Sequence, residues 1–277
     1  MEPKYLYKYR SILPDEDLSL NCHVNALFEC YAMLSSRKQF KDPYDSKIEL
    51  LYPKKKHVVS LQKHCPFDLR KELKLWLSNM SLSQIGHEKI REMYLFFEKM
   101  VDQYAIYCLA SSGTNIRMWQ DYANDHKGFC IEFKAEPIPV RKVQYRSEIG
   151  KVNSIELIKE YFNIKIPNMP DGEVGKKIQK LLHIKLSKYK YEGEYRFISK
   201  GNLSGTTQDK KFYHKSAVLS VIFGSRMQSA HKQYIIQNCP FPVLFKQAIL
   251  EEKTARKIPH IILEIYNSNK HLNLANY

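Results

Sequence analysis

The stretch Tyr191-Glu192-Gly193-Glu194-Tyr195-Arg196, followed by Phe197-Ile198, alternates with a period of two and reads as a strand. On that reading Tyr191, Gly193, Tyr195 and Phe197 share one face, while Glu192, Glu194 and Arg196 share the other. Same-face neighbours stand about 7 Å apart. Two carboxylates and a guanidinium in this register make either an ion-pair ladder or a polar active site, and the motif alone favours the ladder.

Outward from this strand, helices and strands follow one another without regular β-α alternation. Residues 4–10 alternate, with Tyr5, Tyr7 and Tyr9 facing one way and Lys8 and Arg10 the other. Pro14-Asp15 predicts a short helix through Asn25 with Asp15 as its N-cap. Residues 28–34 predict a strand, and Ser35-Ser36 a capped turn of helix ending at Phe40. Apolar spacing predicts helices over 66–80 and 82–102, a helical insertion at about 66–103. Residues 104–110 read as a buried central strand. Further helices are predicted over 116–123, 155–162, 174–186 and 229–237, and further strands over 128–133, 140–145, 218–223, 243–249 and 259–266. Loops are predicted at 167–172 and 201–207, and a polar, frayed tail after Asn267. This pattern gives an α+β fold rather than a doubly wound sheet. No Pro/Ser-rich linker divides the chain, so 1–277 reads as a single domain.

Composition bounds the function classes. The chain has 277 residues, 44% of them hydrophobic, enough to bury a core. No apolar run is long enough to span a bilayer, and the polar N-terminus lacks the pattern of a signal peptide, so a cytoplasmic location and no membrane partner are expected. Cys22, Cys30, Cys65, Cys108, Cys130 and Cys239 are scattered without zinc-type spacing. Lys and Arg number 44 against 29 acids, a net charge of +15. An A/T-rich coding sequence would enrich Lys and Tyr, but it would raise Glu as well, and here acids lag. Tyr189 and Tyr191 interleave with Lys185, Lys188 and Lys190, a pairing of π-faces and cations that suits single-stranded nucleic acid.

Walker, GxGxxG, HExxH and GxSxG motifs are all missing. Four other segments stand in order: Tyr7-Lys8-Tyr9-Arg10-Ser11; Phe40-Lys41-Asp42-Pro43-Tyr44-Asp45; Met118-Trp119-Gln120-Asp121-Tyr122-Ala123 with His126-Lys127-Gly128; and Tyr191 to Arg196. Together they resemble a large bacterial family of unknown function that carries K-Y-R-S, F-N-D-P-F-D, M-W-x-x-Y-A-x-x-H-x-G and Y-E-x-E-Y/W-R. Lys41 stands where that family has Asn. The pattern resembles in turn the R-S-E type of ADP-ribosyltransferase.

That resemblance implies a split, mixed β-sheet core and NAD as substrate, with no metal. It implies Glu194 as the catalytic carboxylate, Glu192 as the residue that handles the acceptor, and Arg10 as the cation gripping the NAD phosphates or ribose. Where the family has C-F-S this chain has Cys108-Leu109-Ala110, which leaves the serine role to Ser111 or Ser112. Trp119 or Tyr122 would stack on nicotinamide, although their spacing fits core packing better. The implied acceptor is a nucleic acid, RNA favoured by the charge, or a protein; the class suits a toxin or phage-defence effector, with an inhibitory partner protein if a toxin. Two other readings remain open at this point. One is a metal-dependent nuclease using Glu192, Glu194 and Asp42 or Asp45. The other is a non-enzymatic nucleic-acid-binding module with a structural ladder.

Overall fold

The computed structural model describes residues 3–136, 138–165, 172–201, 209–251 and 258–271. Of the loops expected at 167–172 and 201–207 and the tail expected after Asn267, residues 167–171, 202–207 and those beyond 271 lie outside the described residues. In chain order the strands are β1 (Tyr5–Arg10), β2 (Tyr31–Ser36), β3 (Ile48–Leu51), β4 (Tyr104–Ala110), β5 (Phe129–Lys134), β6 (Arg141–Lys142) and β7 (Gln144–Arg146). They continue as β8 (Gly150–Asn153), β9 (Ile184–Leu186), β10 (Glu194–Lys200), β11 (Asp209–Phe212), β12 (Val218–Phe223), β13 (Leu244–Glu251) and β14 (His260–Ile265). The helices are α1 (Cys22–Phe28), α2 (Lys55–Gln62), α3 (Phe67–Leu75), α4 (Gln84–Asp102), α5 (Ile116–Tyr122), α6 (Ser154–Tyr161), α7 (Glu173–Leu181), α8 (Ser229–Asn238) and α9 (Ser268–His271). None is long and apolar enough to cross a membrane, among the described residues.

The main sheet is mixed. Its order is β11-β2-β4-β1-β5-β12-β13-β14; β12 and β13 run parallel and the other pairs antiparallel. Strand β4 is the pivot, as its apolar sequence requires. One edge pairs with β10 along its whole length, from Glu194 opposite Ala110 to Lys200 opposite Tyr104. The other edge is shared. Strand β2 takes Ala105 and Ile106, and β1 takes Ala110. The sheet therefore forks between β1 and β2, and Lys8 donates its Nζ to the Cys108 carbonyl in the gap (2.7 Å).

Alternation on β4 divides the core. Ala105, Tyr107 and Leu109 face a cluster with Leu6, Phe129, Val221 and Tyr195, covered by α1 and α8. Tyr104 and Ile106 face a second cluster built on Trp76, Phe97, Ile158 and Ile178. Ala110 joins a third with Tyr9, Trp119, Cys130 and Ile222. The helical layer is larger than an insertion at 66–103, because the second cluster also takes residues from β3, α2, β8, α6 and α7.

Several boundaries differ from the sequence reading. The first helix begins at Cys22, because Asn21 rather than Asp15 caps it, accepting from the backbone N–H groups of His23 and Val24. Helix α2 was not expected from the sequence, since its buried face is just Val58 and Leu61. The helix predicted over 174–186 ends at Leu181, and Ile184–Leu186 pairs with β7 as a strand. All six cysteines are free thiols.

Candidate functional site

Strand β10 starts at Glu194, not at Tyr191. Residues Ser187–Glu192 form a 3₁₀ turn, and Gly193 closes it with φ of +53° in the left-handed region. A Cβ on Gly193 would also lie 2.3 Å from Ser111 Oγ. The Gly193 carbonyl accepts from Ser111 N at 3.0 Å. The turn breaks the alternation, yet both glutamate side chains still converge, because both meet Lys185.

Lys185 projects from β9 into three carboxylates. Its ammonium pairs with Glu192, with Glu194 Oε2 at 3.0 Å and with Asp45 Oδ2 at 3.1 Å. Arg196, fully buried, completes the cluster. Its Nε donates to Glu194 Oε1 and its Nη2 to Asp45 Oδ1, each at 2.6 Å. Its Nη1 donates to Ser46 Oγ at 2.8 Å and to the Leu182 carbonyl at 2.6 Å. Its Nη2 also donates to Glu194 Oε2 at 3.2 Å, so every donor of the guanidinium is engaged, while the ammonium donates to Glu192 and Glu194 and ion-pairs with Asp45.

Three carboxylates against two cations leave one negative charge in excess when all are ionised. The excess falls on Glu192. Burial would raise Glu194, but the Arg196 and Lys185 charges overcome it and hold that carboxyl well below its usual range. Burial pushes Glu192 above the usual carboxylate range despite Lys185, with Glu194 adding to the rise. Burial would lower Lys185, but the carboxylates around it raise it well above an ordinary lysine. Glu192 Oε1 accepts from the Tyr122 hydroxyl at 2.7 Å, and Tyr122 is 39% exposed.

Above the cluster opens a cavity of about 730 Å³. It is walled by Tyr7, Tyr9, Phe40, Tyr122, Tyr189 and Tyr191, and it carries Lys8, Lys41 and Lys188 with the cluster at its base. The size and lining, apolar walls with a few convergent polar groups, suit a small-molecule site. A second groove of about 1100 Å³ on Lys4, Lys134, Arg141 and Lys142 has no buried carboxylate.

The structure brings Glu192, Glu194, Asp45 and Tyr122 together, with Asp42 on the cavity wall, whereas Arg10, Ser111, Ser112 and Trp119 do not line the cavity. Arg10 lies on the opposite face of the sheet. It pairs with Phe129 across β1 and β5, and its guanidinium lies 5.8 Å from the Tyr107 ring centroid, whereas Glu194 pairs with Ala110 on the face of Tyr9. Arg10 does not line the cavity. Ser111 clamps the Gly193 turn through its backbone, and the Ser112 carbonyl accepts from Tyr9. Trp119 is buried edge-on to Tyr9 with its Nε1 on the Gly113 carbonyl, a core residue. Asp42 forms an Asx turn with Tyr44 N.

Lys185 and Asp45 are central, and the sequence reading did not centre on them. Lys185 stood inside a basic run; its signal was a single charge between Ile184 and Leu186. Asp45 closes the Phe40–Asp45 motif, and the one role expected of it was as a metal ligand alternative to Asp42. Asp45, Glu192 and Glu194 do converge, but the cation they share is the Lys185 ammonium. A divalent ion there would first have to displace it.

A family described as "Protein of unknown function (DUF2971)" matches residues 118–197, from α5 into β10. This domain contains Tyr122, Lys185, Glu192, Glu194 and Arg196; Asp45 lies outside it. No curated protein and no solved structure matches the chain.

Proposed function

We propose that the protein is an NAD-dependent ADP-ribosyltransferase acting on a nucleic acid or a protein. The observation that carries this reading is the excess negative charge at Glu192, preorganised at the base of a nucleotide-sized cavity. Breaking the bond between nicotinamide and ribose builds positive charge on the ribosyl carbon. A fixed carboxylate stabilises that charge without forming a bond.

In the balanced step, the C1′–N bond breaks and its electron pair leaves with neutral nicotinamide. A bond forms between C1′ and an acceptor oxygen or nitrogen. The acceptor's proton passes to the Glu192 carboxylate and from there to water, a transfer suited to a carboxyl held above its usual range. Glu194, locked between Arg196 and Lys185, positions Glu192 through the shared ammonium. Lys41 on the cavity wall, in place of Arg10, is the cation that meets the pyrophosphate in this reading. Tyr7, Tyr9 and Tyr122 on the cavity wall offer faces for the two bases of NAD.

The test is incubation of the protein with NAD labelled in its adenylate half, together with RNA, DNA and protein. The expected result is release of nicotinamide, undiminished by a chelator, with label on one acceptor class. No nicotinamide release with any acceptor would overturn the reading.

A further inference from the structure

The mouth of the cavity carries tyrosine rings with cations laid across them. The Arg117 guanidinium lies 3.9 Å from the Tyr191 ring centroid, Lys188 Nζ 4.8 Å from that of Tyr189, and Lys47 Nζ 5.4 Å from that of Tyr44. The Tyr189 and Tyr191 rings are 6.5 Å apart and tilted by 47°. Tyr44 is 51% exposed, more than Tyr122. Lys41 and Lys188 line the cavity, and Lys47 and Arg117 lie over two of its lining rings, Tyr44 and Tyr191. The acids there are Asp121, already held by Arg117 and the Tyr191 hydroxyl, and the half-buried Asp42. The 3₁₀ turn does two things at once: it sends Glu192 inward and holds Tyr189, Tyr191 and Lys188 at the opening.

We infer that this rim is the acceptor site and that the acceptor is single-stranded nucleic acid. The inference rests on the ADP-ribosyl-transfer reading. A ring with a cation over one face can stack an unstacked base on its other face, and the remaining positive charge meets phosphates. A duplex buries its base faces in its own stack and presents no partner to the tyrosines. One unstacked nucleotide then points its hydroxyl or amine at C1′ beside Glu192, gives up its proton there, and gains the ADP-ribosyl group as nicotinamide leaves.

The experiment measures anisotropy of fluorescent 12-mers of oligo-U and oligo-dT, and of a blunt duplex, across a salt series. Single strands should bind more tightly than the duplex, and binding should weaken steeply with salt. Tyr189→Ala should weaken single-strand binding about 5- to 150-fold, the loss of one stacked base, while Tyr189→Phe, which keeps the ring, should hold it. Lys188→Ala should reduce the slope of log affinity on log salt by about one. Preference for oligo-U over oligo-dT assigns RNA, and the reverse assigns DNA. Equal binding of duplex and single strand, or unchanged binding by Tyr189→Ala, would overturn the inference. So would label ending on protein alone. Nicotinamide release without strand binding sinks this inference and leaves the transferase reading standing. Strand binding without nicotinamide release sinks the transferase reading and the acceptor role with it.

Discussion

Glu194 sits at the sealed end of the ion cluster and Glu192 at its open end. Both are nearly inaccessible, at 3% and 4% exposure, and both touch Lys185. Their second partners differ: a fully buried guanidinium for Glu194, a partly exposed tyrosine hydroxyl for Glu192. The consequence is opposite shifts, Glu194 held ionised and Glu192 pushed towards its neutral form. Two carboxyls whose environments push them apart are the arrangement in which one anchors and the other exchanges protons.

The largest effect expected on this contrast is on stability at the sealed end. Arg196→Met leaves Asp45 and Glu194 buried without their main counter-charge, and it should cost about 3–5 kcal/mol, read from urea unfolding. Glu192→Gln removes the excess charge and leaves the rest paired, so its unfolding midpoint should stay near that of the wild type. A stable Arg196→Met protein would break the contrast. Next in size is the turn that separates the two glutamates. Gly193→Ala forces a side chain into the left-handed region against Ser111, costing about 1–2 kcal/mol by the same assay.

Some of this arrangement was legible in the sequence. The period of two on β1 set Tyr7 and Tyr9 against Lys8 and Arg10, and it set Tyr195 against Glu194 and Arg196. The pairing of β1 and β10 on β4 then fixes what that alternation means: Arg10 shares a face with Tyr107, and Glu194 does not. Only the register across strands far apart in the chain reveals this, so a motif order of Arg, Ser and Glu could not. Gly193 was read as a strand position because a single glycine leaves the period intact on paper, while its left-handed φ ends the turn in space. Lys185 was hidden because a lysine buried in an ion cluster and a lysine on a solvated helix are written alike; the three carboxylates that distinguish them come from residues 45, 192 and 194.

Smaller effects sharpen the contrast with pH. Glu194, depressed in the fold, contributes stability in full above its ordinary value near 4.5 and loses it as pH falls further. Glu192, raised in the fold, has the opposite sign: between its raised value and about 4.5 the folded protein binds the extra proton, and acidification stabilises it. Subtracting the stability–pH curve of Glu192→Gln from that of the wild type should therefore give a difference that turns in favour of the wild type as pH drops from neutrality. A flat difference would remove the raised carboxyl from the account. The smallest change expected is from Tyr122→Phe. It deletes one hydrogen bond to ionised Glu192, a bond of about 0.5–1.5 kcal/mol, and should move the acidic limb of the pH–rate profile upward by about one unit or less.

The central claim is that Glu192 supplies the charge that drives cleavage of NAD. The direct test is the rate of nicotinamide release by wild-type protein and by Glu192→Gln, with the fold of each checked by thermal unfolding. Gln keeps the size and the bond from Tyr122 but loses the charge. The account predicts a folded variant whose release is slower by about 100- to 1000-fold, the cost of removing one preorganised electrostatic group. A folded Glu192→Gln protein that releases nicotinamide at the wild-type rate would contradict it.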